Sequence, residues 1–288
     1  MNQLHEVGVD FVIIDWTNIG NAVAPGTVAW EEHVEYTMTA MCETITEMRA
    51  EGLDTPYVVF WVGDNDGSLY RVLYERFCGV EEWKDCFVYW DGKPLILTTH
   101  ILPDAFPCPE LYTPRRMWGL FSPHDPSNSQ GSWTFLSTNN TNQAALAKDG
   151  TPEQMCVCVA SQATVMTNTA TAHGRQGGMF WHAQWRQAFR HRPKVVTVTW
   201  WNEWAAQRKI NEDGTNTFVD AYTPEFSRDI EPMEGGHGDQ YYRWLGRYIA
   251  AYKAGEACPV LVEDAYKARL EDFVQAYEGN PRYHTIER

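Results

Sequence analysis

The chain has 288 residues, a formal net charge of −15 from 23 Lys and Arg against 38 Asp and Glu, and 13 Trp, 14 Tyr and 12 Phe. A chain this long buries roughly three quarters of its unfolded surface, so its core needs no staples. The charge excludes nucleic acid and anionic membrane as partners, and the aromatic content excludes a disordered acidic chain.

Val9–Asp15 is a near-continuous apolar run, the pattern of a parallel strand covered on both faces. Trp30, Val34, Met38, Met41, Ile45 and Met48 recur every three or four residues, one stripe of a helix that Gly52 stops. Tyr57–Val62 is the next strand, Ser68–Phe77 a short helix, and Pro94–Thr99 a strand introduced by the turn at Asp91–Lys93. Met117–Phe121, Trp133–Leu136 and Met155–Ala160 are further strand candidates. Gly178–Arg192 is helical and is closed by Pro193. Val195–Trp201 is a strand, and two helices, about Gly238–Ala254 and Leu261–Tyr277, finish the chain.

The alternation predicts one α/β domain over residues 1–288, a (β/α)8 TIM-type barrel. A closed barrel needs eight strands and the sequence offers seven, the first only about eight residues from the start. A first β-α unit is therefore expected to be missing, and the open seam gives a route to homo-oligomers. The irregular stretches 100–116, 122–132 and 137–153 read as loops of a functional face.

The seven Cys are odd in number and share no spacing, so no disulfide framework is expected. Cys156 and Cys158 fall on one face of a strand and read as small buried hydrophobes rather than half of a metal site. Asp64–Ser68 reads as an Asp-rich turn that caps a helix, because its Gly stands at the fourth place and not the sixth of a calcium loop. No metal or cofactor is implied. Met1-Asn2-Gln3 opens without a basic-then-apolar leader, so the chain reads as cytoplasmic as it stands, or as periplasmic or secreted if its start is truncated.

Chemistry in a parallel barrel collects at the C-terminal strand ends. The residues there are Asp15, Trp16, Asn18, Trp61, Asp64, His100, Trp118 and the run Trp200–Trp204. Carboxylates and amides accept from hydroxyls, and flat indoles stack on sugar C–H faces, so the composition is that of a carbohydrate cleft. Strand parity puts Thr197, Thr199, Trp201 and Glu203 on one side, with Val196, Val198 and Trp200 facing outer helices. Glu203 then points into the mouth among Trp201, Asn202 and Trp204, where desolvation would suit it to acid/base work; the alternative is a helix cap or a pair with Arg208. Glycosidic cleavage takes two carboxylates. The second is sought in the loop Phe218–Asp239, which holds Glu225 and Glu231 beside Arg228 and His237, or at Asp15. Asp239 reads as a helix cap. His173-Gly174-Arg175 could hold an anion or a sugar hydroxyl, but reads as loop scaffolding.

The run Thr199-Trp200-Trp201-Asn202-Glu203-Trp204, followed by Asp229-Ile230-Glu231-Pro232, resembles the glycoside hydrolase family 71/99-like group, and Phe218-Val219-Asp220 with Gly235–Asp239 extends the likeness to a bacterial branch of it. The resemblance implies a (β/α)8 barrel acting on α-linked glycans. In that group the first Glu of an E-W-x-E motif assists as base and the second donates the proton. The first matches Glu203; the second position is Ala206. Either another carboxylate, Glu225 or Glu231, replaces the donor, or the mechanism of that group does not apply, or the barrel does not hydrolyse. The alternatives to a glycosidase are a non-catalytic carbohydrate-binding barrel and a glycosyltransferase-like relative. For the last, the sequence shows no phosphate-binding Gly-rich loop.

Overall fold

The structure, a computed structural model, describes residues 1–19, 24–63, 66–118, 132–136, 144–161, 172–204, 208–218 and 223–279. The chain divides into two compact units, Met1–Met117 and Trp118–Arg288.

The first unit begins with helix α1 (Asn2–Glu6) and strand β1 (Phe11–Trp16). The helical stripe forms α2 (Val28–Trp30), a π turn at Glu31–Glu35, and α3 (Tyr36–Ala50). Trp30, Val34, Met38, Ile45 and Met48 are buried as the periodicity requires, and Cys42 takes the central place beside a half-buried Met41. Strand β2 (Tyr57–Val62) pairs in parallel with β1, Phe11 opposite Tyr57 through Trp16 opposite Val62. Helix α4 (Ser68–Leu73) follows, and Asp66 accepts the Ser68 N–H at 3.0 Å ahead of it. A short β3 (Tyr89–Trp90) folds back antiparallel onto β4 (Lys93–Thr98), and β4 lies parallel to β2.

One expected loop is a strand. Within 100–116, Thr113–Arg116 forms β5, parallel to β4. Its sequence, Thr-Pro-Arg-Arg, has no apolar alternation, and the register Leu95–Thr98 of β4 imposes the extended form. The neighbouring expectation fails in the opposite sense. Met117 gives one backbone bond to the Thr98 carbonyl, at 2.7 Å, and Trp118 lies outside any strand; residues 119–121 lie outside the described residues.

The second unit holds a three-stranded sheet of β6 (Ala145–Leu146), β7 (Pro152–Cys158) and β8 (Val195–Thr199), with β7 and β8 parallel. Trp133–Leu136, expected to be a strand, is not one; its backbone is tied to β7 by a side chain instead. Buried Gln154 accepts the Thr134 N–H at 3.0 Å and donates to the Thr134 carbonyl at 2.7 Å and to Thr197 Oγ1 at 2.7 Å. The threonine face of β8 is thus the buried face, while Val196 and Val198 are half-buried. Cys156 and Cys158 are fully buried on β7.

Helix α5 (Met179–His191) packs on β7 and ends at Arg192, whose φ is +50°. Two glycines precede it where side chains would collide. A Cβ on Gly177 would stand 2.2 Å from the Tyr266 ring, and one on Gly178 2.5 Å from Trp244. Trp181 and Trp185 meet Tyr248 of α6 (Gln240–Lys253), Trp185 stacking on it at 4.9 Å. The last expected helix is shorter than its apolar pattern: Leu261 and Val262 are buried but lie outside any helix, and the Glu263 N–H bonds the Gly177 carbonyl. A 3-10 turn at Asp264–Arg269 then leads into α7 (Leu270–Glu278). Between β8 and α6 lies a two-stranded hairpin, β9 (Lys209–Ile210) and β10 (Asn216–Thr217). Among the described residues no helix is long and apolar enough to cross a membrane.

Candidate active site

The site grows from the end of β8. The strand stops at Thr199, so side-chain alternation does not carry on to Glu203 as expected. Instead 200–204 runs beside 228–231. The Trp200 N–H bonds the Arg228 carbonyl at 3.1 Å, and the Ile230 and Glu231 N–H groups share the Trp201 carbonyl at 3.0 Å. The two segments that carry the resembling motifs are thus laced into one frame.

Three carboxylates of this frame have separate tasks. Glu203 is half-buried, and its Oε2 lies 3.9 Å from Nη2 of Arg228, a guanidinium only 3% exposed. Arg228 also lies over the Trp200 ring, 5.2 Å from its centre. The setting is a cation pair rather than the bare indole pocket the sequence suggested, and Arg208 bonds Asn216 instead, at 2.8 Å. Glu231 Oε2 accepts from Asn202 Nδ2 at 2.8 Å and from Trp204 Nε1 at 2.6 Å. The two neighbours of Glu203 therefore fix a second carboxylate. Asp229 is fully buried, and its Oδ1 accepts the Glu203 N–H at 2.6 Å.

Glu225 faces another way. Its Oε1 accepts the Gln176 N–H at 2.9 Å, and a Cβ on Gly174 would come within 2.3 Å of that oxygen. The side chain closes the 174–176 turn. Arg175 spans the same gap, donating from Nε to the Pro224 carbonyl at 2.8 Å and from Nη2 to the Asp229 carbonyl at 2.6 Å, over the Tyr241 ring at 4.5 Å. His173 stacks on Phe180 at 5.4 Å. Both are the scaffolding the sequence suggested. His237 stands edge-on to Tyr241, and burial, helped by the Arg175 charge, lowers its pKa to about 4. It is a neutral ring with buried nitrogens. Asp239 sits at the α6 N-cap but pairs with Arg243 at 2.6 Å instead of capping.

The five strand-end Trp divide. Trp201 and Trp204 are half-buried in the frame, Trp201 edge-on to Tyr242 at 6.1 Å. Trp118 is half-buried against Phe135 at 6.0 Å. In the first unit Trp16 stacks on Phe60 at 5.1 Å inside the core, and Trp61 is 1% exposed. Trp16 belongs to the packed core of the first unit, and both rings are buried. Asp15 is exposed and accepts the Thr17 N–H at 2.9 Å, a local turn bond; Asn18 is exposed. Asp64, Ala206 and Asp220 lie outside the described residues. What sequence reasoning missed is the bond that joins Arg175, read only as scaffolding, to Asp229, read only as one carboxylate of its loop. Their signal was present: an Asp inside the second motif and a lone Arg ahead of a Gly pair.

Carboxylates, an amide, indoles and a buried guanidinium thus gather at the end of a parallel strand on a mixed α/β fold. Comparison with known proteins sharpens the fold. No protein-family model matches the chain, and no curated protein matches it. Among solved structures it is similar to the GH99 endo-alpha-mannosidase from Bacteroides thetaiotaomicron, with a TM-score of 0.53 at 12% identity over 88% of this chain and 78% of that one. A second structure of that mannosidase, in complex with bis-tris propane, matches with the same TM-score, 0.53, at 13% identity over 88% and 83%. The fold is GH99-like.

Proposed function

We propose that the chain is a glycoside hydrolase of α-linked oligo- or polysaccharides, built on a (β/α)8-type barrel. The observation that carries this reading is the frame itself: Asn202 and Trp204, the two neighbours of Glu203, converge on Glu231 Oε2. These bonds tie Glu231 to the segment that carries Glu203, and acid/base cleavage of a glycosidic bond takes two carboxylates. Glu203, facing the Arg228 guanidinium at 3.9 Å, is the group assigned as base or as the one that faces a developing oxocarbenium charge. Glu231 keeps Oε1 clear of its two bonds and is the partner that exchanges the proton; Glu225, turned onto the 174–176 turn, is the weaker choice. Trp201, Trp204 and Trp118 offer ring faces to the sugar. Alpha-mannose-containing glycans are the first substrates to test, since the similar structures are those of an endo-alpha-mannosidase.

The test is release of reducing sugar from α-mannan oligosaccharides by the wild type, Glu203→Gln and Glu231→Gln. Loss of turnover in both variants, with thermal stability kept, supports the reading; unchanged turnover in Glu203→Gln refutes it. A second reading, a non-catalytic carbohydrate-binding barrel, is favoured by Ala206 at the place of the second motif Glu. It predicts calorimetric binding without product.

A further inference from the structure

We infer that Asp229 is a positioning residue that sets the Glu203 backbone, and that Arg175 holds Asp229 in place; the consequence for turnover rests on the hydrolase reading above. Asp229 is a carboxylate with no solvent exposure. A buried charge is costly unless it is fully engaged, and here each side of the residue is used. Oδ1 accepts the Glu203 N–H at 2.6 Å, and Oδ2 accepts the Ser227 hydroxyl at 2.9 Å. The Asp229 N–H returns to Ser227 Oγ at 3.1 Å, closing a small ring that fixes the carboxylate plane. The Asp229 carbonyl accepts from Arg175 Nη2 at 2.6 Å. Arg175 is itself only 2% exposed and is clamped by the Pro224 carbonyl and the Tyr241 ring.

The chain of support runs Tyr241, Arg175, Asp229, Glu203. Fixing N–H of residue 203 fixes the direction in which its Cα–Cβ bond leaves the loop, and hence the reach of its carboxylate toward Arg228. Asp229 touches no substrate in this scheme; it acts through Glu203.

Two readouts test the inference, one of them independent of turnover. Amide hydrogen exchange at Glu203, read by NMR on the full chain, is expected to be about tenfold faster in Asp229→Ala than in the wild type, the size of one lost hydrogen bond. Asp229→Asn keeps an oxygen for the Glu203 N–H and a donor for Ser227, so protection is expected to return. On α-mannan oligosaccharides, Asp229→Ala is expected to lower kcat about 100-fold with KM changed less than about threefold, the signature of a misplaced reacting group. Asp229→Asn is expected to recover most of it. Equal exchange at Glu203 in all three proteins, or equal loss in Ala and Asn variants, overturns the inference. If the wild type releases no product, the hydrolase reading fails, and the exchange readout still decides the positioning role. Should Asp229→Ala not fold, Ser227→Ala, which removes the brace on Oδ2, is read in its place; about threefold faster exchange is expected, and no change overturns the inference.

Discussion

Lowering the pH from about 7.5 to about 5 is expected to destabilise the second unit through His182. This histidine lies on α5 at 2% exposure, with Nδ1 3.2 Å from the Tyr248 hydroxyl. Burial first, and the Arg186 charge second, lower its pKa from 6.5 to about 4. The unfolded chain therefore takes up a proton below about pH 6.5 that the folded chain refuses until about pH 4, so stability is complete above this window and falls as pH drops through it. For that pair of values the loss is about 2 kcal/mol at pH 5 and about 3 kcal/mol at pH 4. In a chain of this size about 2 kcal/mol corresponds to a fall in Tm of about 4–8 °C. The net charge of −15 also shrinks over this range and relieves self-repulsion, an effect of opposite sign. The assay is therefore a comparison: urea unfolding of the wild type and His182→Gln at both pH values. The variant is expected to be less stable at pH 7.5 but to lose about 2 kcal/mol less on acidification. Parallel pH dependence in the two proteins would refute the reasoning.

Three other outcomes are expected. Trp204→Phe keeps the ring but removes the 2.6 Å bond to Glu231; kcat on α-mannan oligosaccharides should fall about 10- to 100-fold, with Tm nearly unchanged. Gly174→Ala drives a Cβ toward Glu225 Oε1, and calorimetry should show a loss of about 1–3 kcal/mol from overpacking. Strands β1 and β8 each pair on one side among the described residues; light scattering should show an oligomer built through such edges, and a monodisperse monomer would count against the open-seam proposal.

How much was legible in the sequence follows from which physical signal each element carries. Tyr57–Val62 announces itself because a strand buried on both faces must be apolar throughout, whereas Val9–Asp15 and Val195–Thr199 are legible from their β-branched, apolar-rich composition although their strands are partly half-buried. Thr113–Arg116 was invisible, since its form is set by the backbone of β4 and not by its own side chains. Trp133–Leu136 misled for the converse reason: its apolar residues are buried, but a Gln side chain, not a sheet ladder, satisfies its backbone. At the site, composition pointed to Glu203, Asn202, Trp204, Arg228 and Glu231, which the structure joins in one frame. Composition could not separate ring faces from core. Trp16 and Trp61 stand at strand ends like Trp201 and Trp204, yet both are buried, Trp16 by stacking on Phe60. Nor could it show the work of Asp229 and Arg175, whose importance lies in long-range bonds to backbone atoms.

The central claim is that Glu203 and Glu231 form the working carboxylate pair of a glycosidase. The most direct measurement is a proton NMR time course of the anomeric signals of an α-mannan oligosaccharide with the wild type and with Glu231→Gln. The account predicts new reducing-end signals with the wild type and at least about 100-fold slower appearance with the variant. Equal rates in the two proteins, or binding of the oligosaccharide with no new anomeric signal from the wild type, would contradict it.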